Sequence, residues 1–316
     1  MSSLMRNGLM RNELTPNRPI TNKPDAPVIR RLVADDLKAC AELAVDRAWW
    51  PERAKWALLI DASEGYAIDA PDGNGLAGTV VLTRWGTDRA AVGMVLTAAR
   101  YGGRGLGRAL MEHALHVAGE GTNLWLHATG SGRPLYEKLG FQPVRRSIAY
   151  RGYFRAGPRA GWRRKERAGA AGSSMAVRVA TEADLPAILT LDRAAYGGDR
   201  ERILSRLPGF ADRMVVLEAS HGIAGYAAAW RTEPFMVAGP VIAPDDEGAK
   251  LLITDLAAHS TVPIRLDLDP DRTELVGWVR SHGLLPTERT VVMTRGDLTP
   301  RGVPRELYTP ISVAMA

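Results

Sequence analysis

Apolar and polar positions along the chain form two series of predicted strands and helices, one in each half. In the first half, alternation predicts strands over 28–33, 65–68, 76–84, 90–96, 124–128 and 144–150, and helical spacing predicts helices over 34–48, 52–59, 106–117 and 133–139. Asp72-Gly73 and Gly86-Thr87-Asp88 are turn signals between the three middle strands, which we expect to be antiparallel. This order predicts an α/β (α+β) fold with a mixed, mostly antiparallel sheet flanked by helices.

The same order begins again in the second half of the chain. Val177-Arg178-Val179 echoes Ile29-Arg30-Arg31, and Gly283 follows a short helix as Gly140 does. Between them we predict strands over 214–219, 222–230, 236–242 and 263–268 and helices over 248–259 and 272–281. The sequence therefore predicts an internal duplication of one α+β unit.

The net charge of +6 is concentrated between the two units. From Arg151 to Ala176 there are seven basic residues and one glutamate, so the net charge of this stretch equals the net charge of the whole chain. Its aromatic residues would suit nucleic-acid binding, but no nucleic-acid fold signature accompanies them, and Gly, Ala and Ser favour a solvated linker. We expect a disordered tail over 1–26, units over 27–150 and 177–316, and a basic linker over 151–176.

Composition limits the class of protein. A hydrophobic content of 46% with 24% charged residues is ordinary for a globular chain of 316 residues, and no apolar run is long enough to span a membrane. The one cysteine, Cys40, excludes an intrachain disulfide, fits a reducing cytoplasm and is expected to be a core residue. There is no motif for a metal.

The stretch 95–110 is the strongest candidate for a binding site. A predicted strand leads into Gly102, Gly103, Gly105 and Gly107, and then directly into a helix. Glycines allow positive φ values and a close approach of a ligand to the backbone, and the N-terminus of the helix favours negative charge. The pattern predicts a site for a di-anion such as a pyrophosphate.

Two motifs give the first unit a resemblance to the GNAT superfamily of acyl-CoA-dependent N-acyltransferases. The first is Gly102-Gly103-Arg104-Gly105-Leu106-Gly107, and the second, about thirty residues later, is Leu135-Tyr136-Glu137-Lys138-Leu139-Gly140-Phe141. The resemblance implies a sheet that splays between its fourth and fifth strands, with acetyl-CoA as co-substrate in the split. It makes 27–150 the catalytic domain and the chain a cytoplasmic acetyltransferase with tandem GNAT units.

The resemblance also implies roles for individual residues. Tyr136 would be the general acid at the CoA sulfur. The implied cofactor-binding residues are Val95, Leu96 and Thr97 along the pantetheine, Gly102, Gly103, Arg104, Gly105, Leu106, Gly107 and Arg108 at the pyrophosphate, and Thr129, where the family often has asparagine. A backbone N–H of the fourth strand, expected at Leu96, would donate a hydrogen bond to the oxyanion that develops in the transition state.

The second unit is expected to be degenerate. At the position of the glycine-rich loop it has Pro244 and the acidic run Asp245-Asp246-Glu247, which would repel a pyrophosphate and suits a helix start. Val279 stands where Tyr136 stands in the first unit. We therefore expect one acetyl-CoA per chain, bound in the first unit.

Several questions stay open at the level of sequence. Asp46, Glu52, His127 and Glu137 are candidate bases, and Trp49 and Trp50 either line the acceptor pocket or belong to the core. The expected acceptor is a primary amine of a small molecule or peptide, with nucleic acid and membrane not expected, and the chain is a monomer or a homodimer. The alternative is a non-catalytic acyl-CoA-binding or regulatory protein whose basic linker contacts nucleic acid.

Overall fold

The structure is a computed structural model, and it describes residues 27–155, 175–297 and 306–315. The predicted tail over 1–26 and most of the predicted basic linker lie outside the described residues. The two ends of that linker are strand residues, because one strand runs on to Gly152 and the next begins at Ala176. None of the helices in these described ranges is long and apolar enough to cross a membrane.

The first unit has the predicted order of elements. Its strands are β1 (Arg30–Arg31), β2 (Glu64–Asp69), β3 (Leu76–Arg84), β4 (Arg89–Thr97), β5 (Asn123–Ala128) and β6 (Gln142–Gly152). Its helices are α1 (Leu37–Asp46), α2 (Arg53–Ala62), α3 (Leu106–Ala118) and α4 (Arg133–Lys138). The first strand is much shorter than predicted, and Cys40 is fully buried, which confirms its interpretation as a core residue.

The second unit repeats this order. Its strands are β7 (Ala176–Val179), β8 (Arg213–Ala219), β9 (Gly222–Thr232), β10 (Phe235–Ile242), β11 (Ile264–Leu268), β12 (Leu285–Arg295) and β13 (Leu307–Thr309). Its helices are α5 (Leu185–Tyr196), α6 (Glu201–Leu204), α7 (Leu207–Phe210), α8 (Asp246–Ala258) and α9 (Thr273–Ser281). β12 and β13 were not predicted, although Thr290-Val291-Val292-Met293-Thr294 is rich in β-branched residues and a strand signal.

The duplication is visible in matching ion pairs at the start of each unit. Arg30 donates to both oxygens of Asp36 at 2.8 Å, and Arg178 donates to both oxygens of Asp184 at 2.7 and 2.8 Å. Each carboxylate also accepts the backbone N–H three residues earlier. The guanidinium holds the pKa of each carboxyl below its usual range.

The two units share one sheet. The strands of the described residues form it in the order β1-β2-β3-β4-β5-β12-β6-β11-β10-β9-β8-β7, with β13 beside β10. The last long strand of each unit pairs with the fifth strand of the other, since β12 lies next to β5 and β6 lies next to β11. This exchange places both units in one continuous sheet, and the larger of the two hydrophobic clusters contains buried residues of both units.

A buried ion pair lies where α5 approaches the β3–β4 turn. Arg200 donates to Asp192 at 2.9 and 2.6 Å, and the Tyr226 hydroxyl donates to the same carboxylate at 2.5 Å. Both charged side chains are almost completely buried. Tyr196 lies beneath the guanidinium and packs edge-on against Trp85 of the first unit. The pair therefore stabilises the contact between the two units.

Candidate active site

β4 and β5 separate after three paired residues. Their parallel register runs from Arg89↔Asn123 to Ala91↔Trp125, and both strands continue beyond it. A bulge interrupts the pairing of β4 with β3 between Gly93 and Leu96, where Met94 takes a φ of 50°. A bulge bends its strand. It thereby opens the split that the family resemblance implied.

The glycine-rich loop at the C-terminal end of β4 has the conformation that an anion site needs. Gly103 and Gly105 have φ values of 75° and 78°, and open space surrounds the position of a Cβ at each. Gly105 is the N-cap of α3, so the first N–H groups of the helix point into the same space. The loop therefore fits a pyrophosphate, bound by backbone donors.

The free edge of β4 differs in one respect from the prediction. Ala98 N donates to Ala77 O at 2.9 Å, so the antiparallel alternation directs the N–H of Leu96 toward Thr79 of β3. Val95 and Thr97 are the residues whose N–H groups face the split. The backbone donor expected at Leu96 is thus engaged in the sheet, and Val95, next to the bulge, takes its place as the candidate.

Tyr136 lies on α4, the helix that follows β5. Its ring packs against Gly132, whose Cβ, if present, would lie 2.9 Å from Cε2 and 3.1 Å from the hydroxyl. Leu135 reaches the first turn of α3 at Gly107, so α4 is held next to the glycine-rich loop. The side chain is buried, and burial raises the pKa of Tyr136 to about 12.

The other predicted ligands of the cofactor have local roles as well. Thr129 lies in the loop before α4, where its hydroxyl accepts the N–H of Gly132, the N-cap residue, at 3.3 Å. Arg108 is paired with Glu112 at 2.8 Å, and Arg104 lies over the ring of Tyr101 at 5.3 Å. Both arginines remain at the mouth of the loop.

The candidate bases are dispersed. Asp46 accepts the N–H of Ala99 at 2.6 Å, Glu52 is paired with Lys55, and Glu137 is an exposed partner of Arg133. His127 lies at the end of β5 with Nδ1 3.3 Å from the Thr290 hydroxyl of β12. Burial and the nearby guanidinium groups of Arg145 and Arg265 lower the pKa of His127 to about 3, which makes its imidazole neutral and a weak base.

The two tryptophans have different surroundings. Trp49 is partly buried against the main core. Trp50 is 45% exposed and meets Phe235 of the second unit edge-on, with ring centroids 6.3 Å apart. The segment between α1 and α2 therefore contacts the second unit.

The matching cleft of the second unit is filled by the chain itself. β10 and β11 separate as well, after two paired residues, but β13 pairs with β10 at Val241 and Ile242. Asp245 caps α8 by accepting the N–H of Gly248 at 2.8 Å, as the acidic run predicted. Val279 is completely buried.

Comparison with known proteins finds a match in each half of the chain. Residues 31–141 match the acetyltransferase (GNAT) family, and residues 188–309 match an acetyltransferase (GNAT) domain. The chain belongs to the GNAT superfamily. It contains two GNAT domains, and the family supports N-acetyltransferase activity in general.

Relatives of this GNAT protein span most of its length. The uncharacterized N-acetyltransferase YitH of Bacillus subtilis is 27% identical over 232 residues, which are 72% of this chain and 78% of YitH. A Pyrococcus horikoshii crystal structure has a TM-score of 0.72 at 15% identity and covers 96% of this chain and 100% of its own. A tandem GNAT protein from the clavulanic acid biosynthesis pathway has a TM-score of 0.60 at 16% identity, covering 84% and 97%. At these identities the solved structures show the fold.

Proposed function

We propose that the first unit transfers an acetyl group from acetyl-CoA to a primary amine, and that it is the competent unit of the pair. One observation supports this assignment above the others: the split between β4 and β5 is open, whereas β13 fills its counterpart between β10 and β11. The glycine-rich loop follows the edge of β4, and α4, which carries Tyr136, contacts the loop through Leu135 and Gly107.

Binding would rest on the backbone. N–H groups of the loop from Gly103 to Arg108 would hold the pyrophosphate, and the edge at Val95 and Thr97 would pair with the pantetheine like a further strand. The open space at Gly103 and Gly105 is compatible with close approach of the phosphates. Arg104 adds positive charge at the mouth.

Tyr136 would act on the leaving sulfur. The amine nitrogen forms a bond to the acetyl carbon and gives up a proton to water, while the carbon–sulfur bond breaks and the sulfur receives a hydrogen bond or a proton from the phenol. Because its pKa is raised to about 12, Tyr136 stays protonated at neutral pH. Thiols have an ordinary pKa of about 8.5, so the hydrogen bond is the more favourable contribution.

The test is acetyl-CoA turnover, measured as release of free CoA on a broad panel of primary amines. Tyr136→Phe should lower kcat about a hundredfold or more while the Kd for acetyl-CoA stays unchanged. In the wild type, activity should persist to pH 10, because the phenol remains protonated there. Binding of acetyl-CoA without turnover on any amine would instead support a non-catalytic acyl-CoA-binding protein.

A further inference from the structure

The residues that follow β13 lie against β4 of the first unit. This C-terminal turn (residues 310–315) is closed by a hydrogen bond from Met315 N to Ser312 O at 2.9 Å. Met315 and Ile311 are almost completely buried in the larger hydrophobic cluster. The carbonyl oxygen of Ala314 lies so close to Gly93 that a Cβ on Gly93 would overlap it and would lie 2.9 Å from the carbonyl carbon. The second unit therefore contacts the strand that borders the open split.

Gly93 is at the point where β4 leaves β5. The last parallel pair is at Ala91, two residues earlier, and the bulge in the pairing with β3 begins at Gly93. Within the bulge, Met94 has a φ of 50°, which is in the left-handed region. A residue other than glycine keeps such a conformation only where the surrounding structure holds it, and such residues concentrate at functional sites. Val95, the candidate donor to the oxyanion, comes next in the chain.

Contacts from both units hold this bulge. In the first unit, the buried hydroxyl of Thr79 donates to the carbonyl of Met94 at 2.8 Å. From the second unit, the Ala314 carbonyl packs on Gly93 and prevents that residue from moving toward it. The Met94 carbonyl and the Val95 N–H belong to one planar trans peptide and point in opposite directions. Fixing the carbonyl toward β3 therefore directs the Val95 N–H into the split.

The C-terminal turn also contacts the matching bulge of the second unit. The pairing of β10 with β9 shifts before Val241, and a Cβ on Gly239 would overlap the carbonyl oxygen of Pro310. Pro240 is the residue directly before the pairing resumes, as Val95 is in β4. Proline has no backbone N–H. The turn thus contacts both bulges, but only the bulge of β4 has a backbone donor at this position.

We infer that the second unit contributes to the reaction of the first through its C-terminal turn, in which Ala314 is a positioning residue that holds the β4 bulge and directs the Val95 N–H at the acetyl carbonyl. The inference rests on the proposed acetyl transfer. When the amine attacks, negative charge develops on the acetyl oxygen, and an N–H that is already aligned stabilises this charge in the transition state. The second unit is therefore needed for full turnover although its own cleft is filled.

Gly93→Ala tests the contact from the side of the first unit. The added methyl group would overlap the Ala314 carbonyl, so the bulge or the turn must shift. We expect kcat for CoA release to fall about tenfold or more, because a displaced donor stabilises the oxyanion poorly, while the Kd for acetyl-CoA stays unchanged. Gly152→Ala is the matched control, because a Cβ at this residue of β6 would overlap the carbonyl oxygen of Gly283. It should lose similar stability and keep its kcat.

A shortened chain completes a double-mutant cycle. Ending the chain after Ser312 removes the Ala314 carbonyl, so kcat should fall as it does in Gly93→Ala. In the shortened chain the methyl group of Gly93→Ala no longer overlaps this carbonyl, and the combined variant should be no slower than the shortened chain alone. Full kcat in the shortened chain would overturn the inference.

A spectroscopic measurement separates this inference from the proposed function. Infrared spectra are recorded for bound acetyl-CoA with an isotope-labelled thioester carbonyl and no amine present. A hydrogen bond from the Val95 N–H should lower the stretching frequency of this carbonyl in the wild type and in Gly152→Ala, and the shift should be lost or reduced in Gly93→Ala and in the shortened chain. This pattern would support the inference even if no amine were acetylated.

Other results would overturn the inference. They are an absence of the frequency shift in the wild type, and an equal shift in all of these proteins, which would leave acetyl transfer itself standing. Failure of both Gly93→Ala and the shortened chain to fold would also overturn it, because the turn would then stabilise the core as a whole rather than position the bulge.

Discussion

The hydroxyl of Tyr308 donates a hydrogen bond to Asp246 Oδ1 at 2.9 Å. Asp246 is in the first turn of α8, which corresponds to the helix start at the glycine-rich loop of the first unit. Arg272 lies over the Tyr308 ring at 3.9 Å and donates to the carbonyl of Leu307 at 3.1 Å. The C-terminal segment therefore fills the second cleft along β10 and at the helix N-terminus, and so takes both places that acetyl-CoA would need there.

Tyr308→Phe should weaken the fold without creating a second cofactor site. Loss of one partly buried hydrogen bond to a carboxylate should lower the free energy of unfolding by about 1 to 3 kcal/mol, measured by urea denaturation. Tyr153→Phe, at a tyrosine that is 67% exposed, is the control and should change little. Calorimetry should still give one acetyl-CoA per chain, and a stoichiometry of two would contradict the assignment of the second cleft.

Gly105→Glu should abolish acetyl-CoA binding. The substitution places a carboxylate at the N-cap of α3, where it would occupy the anion site and repel the pyrophosphate. Gly73→Glu is the matched control, because Gly73 has a φ of 74° and open space around it, as Gly105 has, but lies in the β2–β3 turn. Both variants should lose similar stability, and only Gly105→Glu should lose binding by calorimetry. An unchanged affinity of Gly105→Glu for acetyl-CoA would show that this loop is not the cofactor site.

Most of the local structure could be predicted because its signals are local. The turn at Asp72-Gly73, the glycines before α3 and Gly140 after α4 each mark a boundary by the backbone conformation they permit. The repeated Arg30–Asp36 and Arg178–Asp184 pairs extend the duplication that the strand patterns indicated. The predicted roles of Tyr136 and the glycine-rich loop came from resemblance, and they stay predictions.

What could not be predicted depends on contacts between distant residues. β12 pairs with β5 across more than 150 residues, and no local pattern states which unit a strand will join. The short β13 is a strand only because β10 offers a free edge. In the sequence, Arg145 has no feature that distinguishes it from an ordinary exposed strand residue. In the structure, the exchange of strands places it between residues of the two units. The prediction that Leu96 donates into the split was wrong, because successive N–H groups of β4 point to opposite sides and the sequence does not say which residues face β3.

Asp192→Asn should destabilise the protein strongly. It leaves the buried charge of Arg200 without its carboxylate, which we expect to cost about 3 to 5 kcal/mol. Arg200→Met alone should also be costly, because it leaves the Asp192 carboxylate buried. The double variant Asp192→Asn with Arg200→Met should be less destabilised than the sum of the two single variants, measured by urea denaturation in a double-mutant cycle. Additive losses would show that the pair is not coupled.

Gly132→Ala should impair turnover through Tyr136 rather than through the backbone. Gly132 has φ −82° and ψ −30°, which alanine adopts without strain, but the new Cβ would lie 2.9 Å from the Tyr136 ring and must displace it. We expect kcat to fall about tenfold, because a shift of about 1 Å in a catalytic group is costly, while the Kd for acetyl-CoA is unchanged. Gly130→Ala is the control, since its Cβ would meet open space two residues away in the same loop.

The decisive comparison is the double variant of Gly132→Ala with Tyr136→Phe. If the added methyl group acts only by moving the Tyr136 hydroxyl, its effect disappears once that hydroxyl is removed, and the double variant should be no slower than Tyr136→Phe alone. If the two losses multiply instead, Gly132→Ala acts on something other than the phenol, such as the hydrogen bond from the Gly132 N–H to the Thr129 hydroxyl. The same kinetic experiment therefore tests both the position of Tyr136 and its role, because a displaced packing residue would change the melting temperature but not kcat.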